Sequence, residues 1–280
     1  MELNSIYLRP IKSFQTIKVV KALTSSTGLV GDSLFCLIDD ENKFLSLRTD
    51  PHLSSFKLST TENSVLRVNP GNNLPFFELY LKPGFYSGEI SRINIWGDQV
   101  NVCEFNPSLS RLFSDILNKK VKLVALDYNS DPFISRPRYV SNGQVNRSLQ
   151  DGYNYSLINS ASLAQLESWY GSKLNSQIFR PNFIMDCDIP FIEDTMIGKT
   201  IQIGTLLFRV IEHIPRCSII NQNYKTGIEE NDSLIQLLAQ HRFLSNPHNL
   251  VKKIAPFGVG LTFVGEYGNV SIGDKIKVLD

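Results

Sequence analysis

The 280-residue sequence is short of the features that most often betray a protein's chemistry. It holds only 4 cysteines and 4 histidines. Cys36, Cys103, Cys187 and Cys217 stand far apart with no CxxC pair, which excludes the cysteine patterns of a zinc ribbon, an iron–sulfur cluster or a thioredoxin-like dithiol. Isolated free thiols imply a reducing compartment, so a cytoplasmic location is expected. An excess of one charge is missing too, because 28 Lys and Arg meet 27 Asp and Glu. No basic footprint therefore argues for nucleic acid. No apolar run is long enough to span a bilayer. The opening residues, MELNSIYLRPIKS, lack the charged, apolar and small-residue succession of a signal peptide. With 42% hydrophobic residues, the chain has room for one large core or two moderate ones.

What is present is a succession of short β-rich runs. Residues 5–8, 16–23, 33–39, 44–48, 54–60, 65–69 and 76–82 are β-branched or aromatic and are punctuated by TG, VG, DEN, TEN and NPGNN. Such spacing with few connecting helices points to a barrel or sandwich and away from a doubly wound parallel sheet. After a strand pair around 93–95 and 100–104 comes a helix capped by Asn106 and opened by Pro107, with Leu109, Leu112, Phe113, Ile116 and Leu117 on one face. A strand over 121–126 closes the first half. Residues 127–150 are polar and carry Arg136, Arg138 and Arg147. So long a loop is either a plain solvated connection or a functional segment that brings positive charge over an anionic ligand. The second half reads as a strand at 155–158, a helix over 160–170 with Leu163, Leu166 and Trp169 as its packing stripe, and strands at 183–185 and 206–214. A helix near 232–242 and a strand group between 257 and 278 follow. The expectation is a β-rich α+β protein with domains over 1–126 and 151–280 joined by a loop over 127–150.

Candidate chemistry concentrates between Gln177 and Gly227, in FRPN (residues 179–182) and IPRCSIINQNYKTG (residues 214–227). Pro215 cannot donate to a sheet ladder, so the strand before it should end there and leave Arg216 and Cys217 on a rim loop. A thiolate is both a nucleophile and a soft metal ligand, and a neighbouring cation such as Arg216 favours it. Competing readings stay open from the residues alone. Lys12 and Arg48 could be solvated surface charges, and Arg180 could pair with Glu193 or Asp194. Cys36, Cys103 and Cys187 read as small core residues. His213, four positions before Cys217, would give a Cys–His pair only if strand alternation and the proline allowed it. Glu193 and Asp194 are adjacent, so in an extended segment they face opposite ways and cannot act as an acid–base pair.

In chain order, the words LRPIKS (residues 8–13), GLVGD (28–32), FLSLRTDP (44–51), WGD (96–98), LINSASL (157–163), FRPN, ED (193–194), PRC (215–217), TG (226–227), FG (257–258) and IGD (272–274) resemble the MOSC family. The specific likeness is to two-part proteins with an N-terminal MOSC β-barrel domain and a C-terminal MOSC β-barrel domain with a few packed helices, such as the mitochondrial amidoxime-reducing component and its bacterial counterparts. The resemblance implies molybdenum cofactor (molybdopterin), with Cys217 as the protein ligand to molybdenum and the catalytic centre. It implies cofactor contacts from Lys12, Ser13, Arg48, Arg180, Asn182, Arg216 and Asn223. These residue types suit such contacts, since Arg forks bind phosphate oxygens, Lys acts as a point charge, and an Asn amide both gives and accepts at a pterin edge. At family level, pyridoxal phosphate binding goes with the same resemblance. The implied activity is reduction of small N-oxygenated substrates, such as N-hydroxylated amidines, by oxygen-atom transfer, with electrons from a separate donor protein because no ferredoxin-like cysteine cluster is present. The alternative is a non-catalytic carrier of molybdenum cofactor or of a persulfide on Cys217. Two departures from the family pattern stand out. Ser33 follows GLVGD where an arginine is common, and Asn223 stands where an aspartate is common.

Overall fold

The structure, a computed structural model, describes every residue except 62–64, 72–73, 81–87, 128–132, 135–144, 147, 231–232 and 247–248. Arg136, Arg138, Arg147 and Asp232 lie outside the described residues.

An eight-stranded half-barrel sheet carries the fold. Its order is Ile17–Val19, Glu2–Leu8, Phe183–Asp186, Tyr155–Asn159, Pro256–Val264, Leu206–Pro215, Thr200–Ile203 and Ile276–Val278. The two halves of the chain thus share one sheet, because the first strand pairs antiparallel with Phe183–Asp186 from the second half. One pair is parallel, Tyr155–Asn159 with Phe183–Asp186, and the helix α2 (Ser160–Tyr170) makes the crossover that a parallel pair requires. The inner face of this sheet is a core of fully buried Leu3, Ile6, Tyr155, Phe183, Phe208 and Val259. A four-stranded sheet in the order Phe35–Ile38, Lys122–Leu126, Asp98–Glu104 and Ile90–Ile95 builds most of the first half, beside a three-stranded meander from Lys57–Thr60 to Phe77–Tyr80. The helix α1 (Pro107–Leu117) covers it, and Phe14, Phe56, Phe77 and Phe113 cluster edge-on and tilted beneath. The β-rich α+β class expected from the sequence is what forms.

Local chemistry explains both the agreements and the departures. Asn106 caps α1 by accepting from the Ser108 and Leu109 amides, and Asn118 in the left-handed region ends it. Residues 44–48, expected as a strand, form a turn joined to the sheet only by a bridge from Phe44 to Ile38. Ser46 Oγ accepts from the Arg48 amide and Thr49 Oγ1 bonds Asp50, so short polar side chains offer the backbone local partners in place of a ladder. Residues 16–23 split into two strands that enter different sheets. The last helix, α3, spans Leu234–His241. Cys36 and Cys103 are core residues as expected, whereas Cys187 is only half-buried and follows its strand.

Glu193 and Asp194 sit on a 3₁₀ turn, Ile192–Met196, and not on an extended segment. Neither meets Arg180. Asp194 takes His213 at 3.2 Å and Arg242 at 2.6 Å, which also disposes of a His213 partnership with Cys217. Burial pushes the Asp194 carboxyl up, but His213 and Arg242 outweigh it and hold the group below the ordinary value of 3.8. A carboxylate with a depressed folded pKa contributes stability that is present above the unfolded value and lost as pH falls through the folded one. Urea denaturation should therefore show stability falling below about pH 4, and Asp194→Asn should flatten that acid limb; an unchanged limb would refute the pairing.

Candidate functional site

The long Leu206–Pro215 strand delivers the candidate nucleophile to the sheet's rim. It alternates buried and half-buried through Val210, and then its pairing with Pro256–Val264 slips between Val210 and Glu212 and again between His213 and Pro215. Irregularities of this kind twist a strand end and re-aim the side chains after it. Pro215 is the last ladder residue, and Cys217 follows at the cap of a short 3₁₀ turn, Ser218–Asn221. The thiol is half-buried and makes no hydrogen bond to a described residue.

Arg216 turns inward. Its Nε donates to Phe257 O at 2.9 Å, its Nη1 to Phe179 O at 2.9 Å, and its Nη2 also reaches Phe257 O. No described carboxylate pairs with it, and burial pulls the guanidinium down to about 9, with Cys217 acting the other way. Gly258, at φ +77°, lets the neighbouring strand approach, because a Cβ there would fall 2.6 Å from both Leu157 O and Ile158 Cγ2, while the Arg216 fork lies at ordinary contact distance.

Arg9 is the second inward arginine, and its only sequence signal is its place inside LRPIKS, where it was not a candidate. It makes a bidentate pair with the fully buried Asp32 and donates to Arg180 O at 3.1 Å and Asn182 Oδ1 at 2.8 Å. Asp32, the last residue of GLVGD, is thus paired with a cation from the first strand's end. Ser33 itself bonds Asp32 through its hydroxyl at 3.2 Å. The amide oxygen of Asn182 also accepts from the Ser156 amide and hydroxyl, and its Nδ2 donates to Tyr7 O at 3.3 Å. With no exposed surface, Asn182 bolts FRPN to the first strand.

Between these two clamps Arg180 takes a left-handed conformation at φ +49°. Its guanidinium is half-buried and makes no hydrogen bond or ion pair with any described residue, and burial lowers its pKa. It lines a cleft with Leu47, Gln177, Gln222, Asn223 and Tyr224. Gln222 Nε2 donates to Leu47 O at 3.2 Å, while its Oε1 is buried without a partner. Tyr224 and Gln177 both bond Thr16 of the first half, which seals one end. Neither residue carried a sequence signal beyond its place near PRC or FRPN.

Lys12 and Arg48 approach from the first half. Lys12 Nζ is nearly buried, donates to Leu149 O at 3.1 Å and pairs with Asp151, whose carboxylate also lies within electrostatic reach of Arg9 and Arg180. Asp151 therefore joins the cations of both halves. Arg48 is exposed and stacks 4.5 Å above the Trp96 ring. Ser13, at φ +73°, is buried and donates to Leu45 O at 3.3 Å, so it shapes the loop that carries Arg48. Asn223 accepts from the Lys225 and Thr226 amides and donates to Glu230 at 2.6 Å. It builds the turn that ends in Gly227, where a Cβ would lie 2.0 Å from Pro51 O. A neutral amide suits that place, since an aspartate would face the Glu230 carboxylate.

The pattern of the MOSC N-terminal beta barrel domain matches residues 1–120, and that of the MOSC domain matches residues 144–277. The chain belongs to the MOSC family. Among curated proteins, this MOSC chain is similar to the mitochondrial amidoxime reducing component 2 of Rattus norvegicus, with 21% identity covering 98% of this chain and 82% of that one. The human protein of the same name is 22% identical, over 97% and 81%. The molybdenum cofactor sulfurase of Danio rerio is 23% identical over 84% of this chain, which spans 30% of that protein.

Because Asp32 is fully buried, removing its partner leaves an unpaired carboxylate and strips a donor from Asn182. Arg9→Ala should cost about 3–5 kcal/mol of unfolding free energy, the usual penalty for breaking a buried ion pair. Urea titration measures it, and a loss below about 1 kcal/mol, the range of an exposed pair, would show that Arg9 does not anchor FRPN.

Proposed function

We propose that this MOSC protein binds molybdenum cofactor in the cleft, with Cys217 as the protein ligand to molybdenum, and reduces N-oxygenated small molecules. The observation that carries the reading is a set of polar groups without partners among the described residues: the Cys217 thiol, the Arg180 fork and the buried Gln222 Oε1. Soft sulfur, an unpaired cation and a lone acceptor fit a group that combines a soft metal, an anionic phosphate and a hydrogen-bonding ring. Among the described residues no cluster of three His, Cys, Asp or Glu side chains is placed to hold a metal. A metal bound mainly by its own organic ligand, with one protein thiolate, suits that donor set.

In this reading Arg180, Arg48 and Lys12 bind the anionic part, and Gln222 accepts from the ring. Ser13, Asn182, Arg216 and Asn223 hold those residues in place. When bound, the cofactor supplies a two-electron metal centre that accepts oxygen from the substrate. The chain contributes orientation and charge: Arg216 keeps a half-buried positive charge beside Cys217, and the apolar Ile219 and Leu47 line the cleft. In this reading electrons come from a separate donor protein.

The similarity to molybdenum cofactor sulfurase supports a second reading, a carrier that holds cofactor or persulfide sulfur on Cys217 without turnover. Activity separates the two. Protein made in a cofactor-proficient host should hold about one molybdenum per chain, as one thiolate ligand implies, and with reduced viologen it should convert an amidoxime to its amidine. Cys217→Ala should abolish conversion, and nicotinamide alone should not support it. Fully loaded protein that converts none of several N-hydroxylated substrates would establish the carrier. Arg180→Ala should release cofactor more readily by about 2–3 kcal/mol, as for a charged hydrogen bond; retention equal to that of a surface Arg→Ala variant would remove Arg180 from the site.

A further inference from the structure

We propose that Asp194 and Arg242 are positioning residues, which fix the rim carrying Arg216 and Cys217 through the backbone of residues 255–257, with α3 as the brace. The need for them arises at one rung of the sheet. Pro215 stands opposite Pro256, where the Leu206–Pro215 strand ends and the Pro256–Val264 strand begins. Neither residue has an N–H, so the rung that delivers Cys217 has no backbone donor of its own. Arginine side chains supply donors there instead.

Three successive carbonyls show how. Ala255 O accepts from the Arg216 amide at 3.0 Å and Phe257 O from Arg216 Nε at 2.9 Å, whereas Pro256 O accepts from Arg242 Nε at 3.1 Å. Pro256 and Phe257 are strand residues, whose carbonyls point opposite ways, so the segment is gripped by two arginines from opposite sides. Asp194 and Arg242 do not line the cleft. Their effect on it runs through the segment that Arg216 holds.

Arg242 is itself fixed. Its Nη2 donates to Asp194 Oδ2 at 2.6 Å, its guanidinium lies 3.8 Å from the centre of the Phe191 ring, and its side chain is only 9% exposed. A planar fork reaches a carboxylate and a carbonyl at once, a geometry that a lysine ammonium does not reproduce. His213 Nε2 approaches Asp194 Oδ1 at 3.2 Å without an aligned hydrogen bond, so Arg242 is the stronger arm. Arg242 also ends α3, and at the start of that helix the Ile235 amide donates to Asn221 Oδ1 at 3.0 Å. Asn221 closes the turn that Cys217 opens. The helix thus holds the rim on both sides of Cys217, at Asn221 after it and, through Pro256, at Pro215 before it.

The inference concerns the placement of a charge beside a thiol and holds whether or not that thiol takes a metal, so it is tested on the full chain free of cofactor. Cys217 is alkylated at one fixed pH with iodoacetate, an anion, and with iodoacetamide, its neutral analogue, and the Cys217 peptide is followed by mass spectrometry. Thiolate fraction and exposure affect both rates alike, so their ratio reads the positive charge beside the thiol. Arg216, within electrostatic reach of Cys217, is the charge in question, and Arg216→Gln gives the level without it. Asp194→Asn should lower the iodoacetate preference toward that level by about twofold to fivefold, the range of a partly exposed charge pair. The sign is diagnostic: losing a carboxylate while Arg216 stays in place would raise the preference for the anion, and general loosening would leave the ratio unchanged. Arg242→Lys keeps the charge and loses the fork. It should lower the ratio to the same extent, and the double variant should lower it no further, because the two residues act as a unit.

A ratio unchanged or raised in either variant that retains its near-ultraviolet circular dichroism would overturn the inference, as would additive effects in the double variant. An Arg216→Gln ratio equal to that of the unaltered chain would do so too. Should Asp194→Asn fail to fold, Arg242→Lys decides alone. Failure in protein that takes up molybdenum and reduces amidoximes would leave the proposed function standing. The expected ratios in protein that never takes up molybdenum would leave the positioning role standing without it.

Discussion

Two half-buried, inward-turned guanidinium groups hold the site together. Arg216 donates to Phe179 O and Phe257 O, and Arg9 donates to Arg180 O and Asn182 Oδ1, so FRPN is gripped from both sides by arginines that come from opposite halves of the chain. Burying a guanidinium is costly unless its donors are met. Arg9 meets that cost with Asp32, whereas among the described residues Arg216 donates to carbonyl oxygens and lies over the Phe179 ring, with no carboxylate, next to Cys217. The grip holds Arg180 in a left-handed conformation, and it turns a third guanidinium, which has no partner among the described residues, toward the cleft.

The same grip explains why the halves do not behave as separate lobes around the site. Glu2–Leu8 pairs with Phe183–Asp186, and the Tyr7 amide donates to Asn182 O at 2.8 Å. The 223–227 turn presses on the Pro51 carbonyl, and Gln222 and Tyr224 bond Leu47 and Thr16. The cleft thus lies on a seam whose two sides are stitched by backbone contacts. Glycines at 227 and 258 are needed because backbone atoms approach where a Cβ would stand.

Several elements were legible from local chemistry because local chemistry is what forms them. The cap at Asn106, the start of α2 and the run Val65–Asn69 follow from side chains within a few residues of the backbone they satisfy. The strand end at Pro215 was legible for the same reason, since a missing N–H is a property of one residue. Residues 44–48 misled because a largely apolar run that starts with an aromatic ring also contains Ser46 and is followed by Thr49, whose hydroxyls bond the backbone locally. Asn182, Ser13 and Asn223 bond other protein groups in the structure, and residue type alone could not announce this, since amides and hydroxyls that suit a ligand edge equally suit buried backbone groups.

By itself, the sequence determined the strand-rich class, the order of the family's words and the rim position of Cys217, because these depend on residue type and short spacing. Only the tertiary structure decided which polar groups keep a partner. Arg9 and Asp32 are 23 positions apart, Arg9 and Asn182 are 173 apart, and Lys12 meets Asp151 across 139. Hydrogen bonds and ion pairs are satisfied at contact distance, and contact across such separations is fixed by how the sheets pair, not by the neighbours of either residue.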